Sequence, residues 1–394
     1  MRTFSVSRVS LRTILILVAL VVSVAVTGLK SIPPARSAEV DAGQLIFRFD
    51  AFGDEQLWTD KLRLHEVIQV AVDPTTALAV GLKVDASALP VDFFLTHSLA
   101  NPATTVELIR LNAVVGIVGT VSNGTLTKVG ITCALCHSTV DNSAGLGIGQ
   151  RLDGWPNRDL DPGRIIALSP SLTPAQKAVY NSWGPGFYDP RFNVDGINSP
   201  VLIPPAFGLQ GVGFEIYTGD GPISYWNNYV AVTQMGGQGN FCDKRIQVCV
   251  SQEPDLVTPK LPALFDYQVS LTTPPPPTGS FDPDAAVRGR ALFEGKAGCD
   301  ICHVSPKFTD VDIGKHLPTL HRPKEVGQDP TYAKRSATKL YRTTPLRALW
   351  QHPPYFHDGS AATLMDVVKH YDDLFDLDLS KQERADLVEY LNTF

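Results

Sequence analysis

The chain has 394 residues, with 34 Lys and Arg against 40 Asp and Glu, which gives a formal net charge of −6 at pH 7. This length is sufficient for two or three domains. The acidic balance argues against nucleic acid and anionic lipid as partners, because an acidic surface repels both, and it favours basic soluble partners.

The N-terminal segment, residues 1–38, has the features of an export signal. Three arginines open it, an apolar run covers residues 14–26, and small residues lead up to Ala38. This order predicts a secretory signal peptide cleaved near Ala38 and therefore a periplasmic protein. The apolar run is shorter than the roughly 20 residues that span a bilayer, so an uncleaved membrane anchor is the lesser alternative.

Cleavage would change the charge of the chain. The segment contains five Lys and Arg and no Asp or Glu, so 29 basic and 40 acidic residues would remain, a net charge of −11. We expect the mature protein to have no stable membrane insertion and to meet small basic electron carriers rather than nucleic acid.

The pattern Cys-x-x-Cys-His occurs twice, as Cys133-Ala-Leu-Cys136-His137 (the first motif) and Cys299-Asp-Ile-Cys302-His303 (the second motif). Two cysteines at this spacing can form thioethers to one haem, and the adjacent histidine can then ligate the iron. A zinc site from the two cysteine pairs is the weaker alternative, because both pairs carry an immediate histidine. The sequence therefore predicts two covalently bound c-type haems.

The remaining cysteines are Cys242 and Cys249, seven positions apart. In an oxidising compartment such a pair is expected to form a local disulfide that ties a surface loop. A metal site from this pair is less favoured, because no histidine or second cysteine pair lies nearby in the sequence.

The distance between the motifs suggests one haem in each of two regions. A proline-rich stretch, residues 272–283, cannot join a core and reads as a linker. We expect an N-terminal region, residues 39–271, with the first haem, and a C-terminal domain, residues 284–394, with the second. The expected fold class is mainly α with long irregular loops, and residues 183–240 are expected to be loops because they are rich in Gly and Pro.

The C-terminal domain has clear helical signals. A helix is predicted to end at Phe293, shortly before the second motif, and Ser380 and Glu383 form a capping box for a final amphipathic helix. Gly289 offers a notch for an aromatic such as Tyr390. This pairing of first and last helices resembles the small cytochrome c fold, in which the two cross over the haem.

A second resemblance concerns the ligands of the iron. The segments Thr344-Pro-Leu-Arg347 and Pro354-Tyr-Phe-His357-Asp-Gly359 resemble the bacterial di-haem cytochrome c peroxidases and their MauG-type relatives. In that superfamily the distal ligand follows the histidine of the second segment by fourteen residues, which here gives Tyr371. Arg347 is a candidate to neutralise a haem propionate.

Helical periodicity is consistent with this position. If residues 363–375 form a helix, Leu364, Val367, Val368 and Tyr371 share one face. The alternative is that Tyr371 is a core aromatic and that His370 or Met365 ligates the iron. A tyrosinate ligand would stabilise ferric iron, whereas methionine would raise the reduction potential.

The resemblance is weaker for the first haem. No histidine occurs between His137 and His303, so the distal ligand must be His65, His97 or Met235, or the iron is open, which we favour. The segment Tyr225-Trp226-Asn227 resembles the one that places a tryptophan between the haems, so Trp226 is a candidate electron relay or a structural residue.

The catalytic carboxylate of the superfamily also has a counterpart. Gln234-Met-Gly resembles its Glu-Met-Gly with glutamine at the catalytic position. Glutamine can orient peroxide but cannot accept its proton, so Glu215 or Asp220 would have to take that role.

These features support three functions. The leading one is a periplasmic di-haem oxidoreductase that reduces hydrogen peroxide with electrons from a cytochrome or cupredoxin. The alternatives are an electron-transfer protein without catalysis and, ranked third, a haem-dependent oxygenase, because di-haem rubber-cleaving enzymes look related in the C-terminal segment. The resemblance also leaves room for a bridging calcium ion, whose ligands in such proteins are largely backbone carbonyls.

Overall fold

The computed structural model describes residues 37–311 and 319–394. The predicted signal peptide therefore lies outside the described residues, apart from its last two positions. No helix within those two ranges is long and apolar enough to cross a membrane.

Helices are the main regular elements, joined by long irregular segments. The α-helices are Ala38–Phe49, Leu64–Ala71, Pro74–Ala79, Phe93–Thr96, Pro102–Arg110, Ala134–His137, Pro162–Ala167, Pro174–Asn181, Phe192–Asp195, Ile223–Tyr229, Leu261–Ser270, Pro283–Phe293, Thr331–Lys334, Leu364–Phe375 and Lys381–Leu391. Two π-helical turns cover Gln56–Lys61 and Val230–Gln234, and 3-10 turns cover Ala86–Ala88, Lys244–Ile246, Thr258–Lys260, Cys299–Ile301 and Leu349–Gln351. The predicted mainly helical class is confirmed.

The described strands are short and form only two-stranded sheets. The sequence did not predict these strands. The pairs are Val84–Asp85 with Ile148–Gly149 (parallel), and, antiparallel, Ile117–Ser122 with Thr125–Ile131, Ser138–Val140 with Arg151–Asp153, Phe187–Tyr188 with Val201–Leu202, Phe241–Asp243 with Val248–Val250, and Leu320–His321 with Tyr341–Arg342. Because most have only two or three residues, they pin loops together and do not build a layer.

The first and last helices of the C-terminal region cross as expected. A Cβ added at Gly289 would lie 2.0 Å from the carbonyl oxygen of Asp386 and 2.8 Å from the Cβ of Tyr390. Only glycine allows two helix backbones to come this close. Beside the crossing, the rings of Phe293 and Tyr390 pack edge to face at 5.2 Å, so the predicted notch is confirmed.

Both predicted C-terminal helices are capped by their own side chains. Ser380 and Glu383 exchange side-chain and backbone hydrogen bonds, as the capping box predicts. Thr363 and Asp366 do the same at the start of Leu364–Phe375. These reciprocal bonds satisfy amide groups that a helix N-terminus otherwise leaves unpaired. Helix Leu364–Phe375 therefore begins at a fixed residue, which fixes where Tyr371 points.

The expectation of loops throughout residues 183–240 is wrong at several places, since the range contains the short strand pair Phe187–Tyr188 with Val201–Leu202, the helical turn Phe192–Asp195 and one longer helical segment. Ile223–Tyr229 is an α-helix that continues as the π-helical turn Val230–Gln234. Its aromatic and β-branched residues have low helix propensity, so sequence patterns do not predict it. Burial of Trp226 and Tyr229 in a core cluster stabilises the helix instead.

The predicted disulfide is confirmed. Cys242 and Cys249 are bonded and lie directly opposite each other in the hairpin of Phe241–Asp243 and Val248–Val250. The bridge closes an exposed turn and takes no part in either haem motif.

Residues 39–394 form one compact unit with several apolar clusters, and three of them meet the motifs. Cys136 packs on a cluster that contains Trp58 and Leu135, and Cys133 packs on a second that contains Trp226 and Met235. The first motif thus lies where these two clusters meet. Cys299 packs on a third cluster, which includes Phe293, Leu364 and Tyr390. The division into residues 39–271, 272–283 and 284–394 remains a prediction.

Candidate functional site

The first motif is held in a turn of helix, Ala134–His137. The amide of His137 donates to the carbonyl of Cys133 at 3.2 Å, so the two cysteines and the histidine face one region. All four cysteines of the two motifs are free thiols. Burial raises the pKa of both Cys133 and Cys136 to about 12, because an apolar surrounding disfavours the thiolate.

Side chains on both flanks of the first motif fix its position. The hydroxyl of Thr132 donates to the carbonyl of Arg48 at 3.1 Å, and the hydroxyl of Ser138 donates to the carboxylate of Asp153 at 2.7 Å. The backbone N–H of Asn157 donates to the carbonyl of Cys136 at 2.9 Å. The motif is therefore supported by contacts distant in sequence.

The second motif repeats the geometry in a 3-10 turn, Cys299–Ile301. The amide of His303 donates to the carbonyl of Cys299 at 2.9 Å. Burial raises the pKa of Cys299 to about 11, and Ile301, between the cysteines, is 77% exposed. The second motif thus lies nearer the surface than the first.

The two motif histidines have the same tautomer. Nδ1 of His137 lies 3.1 Å from the carbonyl oxygen of Pro204, and Nδ1 of His303 lies 2.9 Å from that of Phe308. A carbonyl only accepts, so both rings carry their proton on Nδ1 and keep the lone pair on Nε2. Burial lowers the pKa of His137 to about 4 and also lowers that of His303. Two neutral imidazoles with fixed orientation, each beside two thiols, fit the attachment of two c-type haems.

Tyr371 lies near the second motif. Burial raises its pKa to about 12, and Cys302 and Cys299 add to the shift, so the phenol lies in the neighbourhood of this motif. Its ring stacks on Phe375 at 5.9 Å and meets Phe356 edge to face at 5.9 Å. The structure brings together the second motif and the residue predicted as its distal ligand.

The alternative ligand His370 is engaged by the backbone. Its Nε2 lies 3.0 Å from the carbonyl oxygen of Val326, and its ring lies against Gly327. The rings of His370 and Tyr371 meet edge to face at 4.9 Å, so the two side chains are neighbours, and the difference between them is that Nε2 of His370 is already engaged by a backbone carbonyl.

A buried histidine beside Cys302 also bears on metal binding. Cys302, Asp310 and His321 bring ligand atoms within 4.8 Å of one another. His321 makes ion pairs with Asp310 and Glu325 at 3.2 Å, and these hydrogen-bonded carboxylates raise its pKa. Because Cys302 belongs to a haem motif, this group does not indicate a separate metal site, and the calcium ion stays a prediction.

Gln234 is buried and lies near the first motif. Its Oε1 accepts a hydrogen bond from the hydroxyl of Tyr188 at 3.0 Å. Burial raises the pKa of Tyr188 well above 10, and the Cys136 thiol contributes to that shift. Tyr188 and Gln234 are therefore both uncharged at neutral pH, and neither can serve as a general base.

Glu215 and Asp220, the two acidic residues considered as the base in place of Gln234, are both paired with arginines. Glu215 is within 3.1 Å of Arg342 and 3.5 Å of Arg347, and Asp220 pairs with Arg191. Burial nevertheless raises the pKa of Asp220. Arg347, expected near a propionate, is thus committed to Glu215 and to the carbonyl of Gly208 at 2.8 Å.

Trp226 belongs to the core cluster on which Cys133 packs. The guanidinium of Arg191 lies 5.7 Å from the centre of its ring, and the ring of Tyr229 meets it edge to face at 5.5 Å. The indole Nε1 is buried without a hydrogen-bond partner among the described residues. A cation over the ring disfavours loss of an electron from it, so Arg191 makes oxidation of Trp226 in the predicted relay less favourable.

Among the predicted distal ligands of the first haem, Met235 has the most suitable position. It is 4% exposed and shares the cluster of Cys133 and Ala134. His97 instead stacks on Phe93 at 4.2 Å, and its Nδ1 lies 3.1 Å from the carbonyl oxygen of that residue. His65 lies 4.0 Å from Glu66 on helix Leu64–Ala71.

Sequence comparison identifies relatives over part of the chain. The methylamine utilization protein MauG of Methylorubrum extorquens is 36% identical over 125 residues, which cover 27% of this chain and 34% of the relative. A cytochrome-c peroxidase of Denitromonas iodatirespirans is 32% identical over 146 residues, covering 27% and 39%. Over about a quarter of its length, the chain is therefore similar to MauG and to a cytochrome-c peroxidase. The predicted resemblance is thereby confirmed, and such relatives are oxidoreductases.

The match to these MauG-like proteins has limits. The chain spans little more than a third of the length of the curated relatives it matches. Hydrazine synthase subunit gamma of Kuenenia stuttgartiensis is 32% identical over 143 residues, covering 27% of this chain and 40% of the relative. No protein-family model matches the chain.

Solved structures add a distant likeness. A MauG-like protein associated with microbial copper homeostasis is 19% identical over 51% of this chain and 75% of its own, with a TM-score of 0.36. A TM-score this low carries no argument about the fold.

Three residues around the first motif had no sequence signal. Tyr188 holds Gln234, Arg191 lies over Trp226, and Asp54 is a fully buried carboxyl that accepts from the amide of Ile131 at 3.1 Å. Asp54 also raises the pKa of Cys133. All three lie at the ends of short elements or in loops, where neither periodicity nor spacing indicates a partner.

Proposed function

We propose that this chain is a periplasmic di-haem c-type oxidoreductase that reduces hydrogen peroxide with electrons from a small basic cytochrome or cupredoxin. The observation that supports this most is the shared geometry of the motifs: in each, two cysteines lie beside a histidine whose Nδ1 is hydrogen-bonded to a backbone carbonyl and whose Nε2 keeps its lone pair. The relationship to MauG and cytochrome c peroxidase supports the same reaction class.

The proposal gives each predicted residue a role. Bound haem would supply the iron that holds peroxide and the iron that stores electrons. His137 and His303 would be the proximal ligands, and Tyr371 the distal ligand of the second haem. Trp226 would relay electrons toward the first motif, and Gln234 would orient peroxide by hydrogen bonding. Each peroxide would take up two electrons and two protons and leave as two waters.

The test is a stopped-flow experiment on the purified holo-protein, half-reduced, mixed with stoichiometric hydrogen peroxide. We expect a rapid shift of the Soret band to a high-valent or reoxidised spectrum. No change over seconds, with both haems low-spin, would mean that the first iron is inaccessible and would refute peroxide reduction. N-terminal sequencing of the exported protein tests the cleavage near Ala38 in the same preparation.

A second function, electron transfer without catalysis, is favoured by one observation. Gln234 and its partner Tyr188 are both uncharged, so the position that resembles the catalytic glutamate lacks a base. Introducing a carboxylate base at position 234 distinguishes peroxide reduction from electron transfer without catalysis. For a peroxide-binding site, Gln234→Glu should raise the rate of peroxide consumption by about 10²-fold, the lower end of general acid–base effects.

The matched control is Gln268→Glu. Gln268 is also buried, 3% exposed, and hydrogen-bonded to Asn227, so the substitution introduces the same charge at another buried glutamine. Equal rates for both variants and the wild type would support the electron-transfer function.

A further inference from the structure

Two segments nearly 200 residues apart in the sequence contact each other. The rings of Trp155 and Trp350 meet edge to face at 5.9 Å, and Nη2 of Arg158 donates to the carbonyl of His352 at 3.3 Å. We call residues 155–158 and 350–352 the seam.

The seam connects the surroundings of both motifs. On one side, the amide of Asn157 donates to the carbonyl of Cys136 at 2.9 Å. On the other side, Leu349 packs in the same apolar cluster as Cys299. A group bound in the seam would therefore lie near the surroundings of both motifs.

The seam has an excess of buried donors. Nε and Nη1 of Arg158, Nε1 of Trp350 and Nε2 of Gln351 are all buried without a hydrogen-bond partner among the described residues. These four nitrogens carry hydrogen and can only donate. Unpaired buried donors cost free energy, so native proteins rarely leave several in one place without an acceptor.

Arg158 also differs from the other buried arginines. Arg151, Arg191, Arg335 and Arg342 each pair with a carboxylate within the described residues, whereas no carboxylate there forms an ion pair with Arg158. Burial lowers the pKa of Arg158, and the groups that oppose this are the phenols of Tyr217, whose hydroxyl is within hydrogen-bonding reach of the guanidinium, and of Tyr355. Both phenols are uncharged at neutral pH, so neither balances the charge of Arg158. The seam thus holds a positive charge that no anion of the described chain balances.

We propose that the seam binds a haem propionate, with Arg158 as its charge partner and Trp350 and Gln351 as further donors. A carboxylate supplies several acceptor sites and one negative charge, which matches both the excess of donors and the uncompensated cation. The proposal rests on the two haems of the proposed function. The propionate of a covalently bound haem would then contact both segments of the seam and so link the N-terminal and C-terminal parts of the chain.

The experiment compares holo-proteins carrying Arg158→Gln, Arg158→Lys and Trp350→Phe with the wild type. The control is Arg164→Gln, which removes the same charge from an exposed position nearby. Haem content is counted first, by pyridine haemochrome, and the midpoint potential of each haem and the resonance Raman bands of the propionates are then measured.

A cation beside a propionate favours the reduced, less positive iron. We therefore expect Arg158→Gln to lower the midpoint potential of one haem and leave the other unchanged, with a shift in that haem's propionate bands. Arg158→Lys should move the potential less, and Trp350→Phe should shift the bands alone. The haem whose potential moves identifies the propionate that the seam binds.

Other results would overturn the proposal. Two haems with unchanged potentials and bands in Arg158→Gln and Trp350→Phe would exclude a propionate in the seam. A wild-type potential that changes with added acetate at constant ionic strength would show a free carboxylate there instead. Fewer than two haems in the wild type would instead refute the proposed function itself. Trp350→Phe keeps the test valid if Arg158→Gln fails to fold.

Discussion

His137 and His303 both donate Nδ1–H to a backbone carbonyl, but the acceptor of His303 is five residues away in sequence and that of His137 is 67 residues away. The second motif is supported by its own turn and by two helices that cross beside it. The first is supported by loops and clusters gathered from distant parts of the chain. The same five-residue pattern is thus built once from local contacts and once from long-range contacts, and only the local version can be read from the sequence.

The largest test of this difference removes the attachment cysteines. Cys299→Ala with Cys302→Ala, and separately Cys133→Ala with Cys136→Ala, should each reduce haem content from two to one per chain. Because Cys133 and Cys136 join two apolar clusters, we expect the first-motif variant to lose much more thermal stability. Pyridine haemochrome and thermal unfolding measure both effects. Equal losses of stability would contradict the contrast.

Tyr371→Phe tests the ligand of the second motif. With the phenol removed, ferric iron loses an anionic ligand, so the midpoint potential of this haem should rise by some tenths of a volt, within the roughly 0.8 V that axial ligands span. The charge-transfer absorption of ferric tyrosinate should disappear. Tyr390→Phe on the neighbouring helix is the control. If His370→Ala produced the change and Tyr371→Phe did not, the tyrosine assignment would be wrong.

The buried surroundings of the first motif should also make stability depend on pH. Burial raises the pKa of Asp54 to about 9 from an ordinary value of 3.8, so the folded protein holds a proton that the unfolded chain releases. Between about pH 5 and 8 this group lowers stability by about 1.4 kcal/mol per pH unit as pH rises. Asp54→Asn should remove that slope in denaturant unfolding at several pH values. An unchanged slope would show that Asp54 is ionised in the fold.

The smallest effect concerns the local support of the second motif. Gly289→Ala places a Cβ 2.0 Å from the carbonyl oxygen of Asp386, so the helices must move apart at a cost of about 1–3 kcal/mol, as in other overpacked sites. Val287→Ala, on the exposed face of the same helix, is the control and should change stability little. Thermal unfolding of the holo-proteins compares them, and equal midpoints would mean that the crossing is not tight.

The sequence predicts most of the C-terminal region because its signals are local. The capping box at Ser380, the notch at Gly289 and the face that carries Tyr371 all follow from spacing within one helix. The helix Ile223–Tyr229 has no such signal, since packing of Trp226 and Tyr229 overrides their low helix propensity.

The same limit applies to the site. The attachment residues are given by the motifs themselves, and the disulfide by the small spacing of Cys242 and Cys249. The partners of the first motif are not predictable in this way, because the bond from His137 to Pro204 depends on how distant loops pack. The uncompensated charge of Arg158 likewise appears only when its neighbours are known.

The most direct test of the contrast between the motifs is the electron paramagnetic resonance spectrum of the fully oxidised holo-protein at neutral pH, with and without cyanide. The account predicts two distinct ferric signals, one of them high-spin and converted to low-spin by cyanide, which belongs to the first motif and is lost in Cys133→Ala with Cys136→Ala. Two low-spin signals unaffected by cyanide would contradict it.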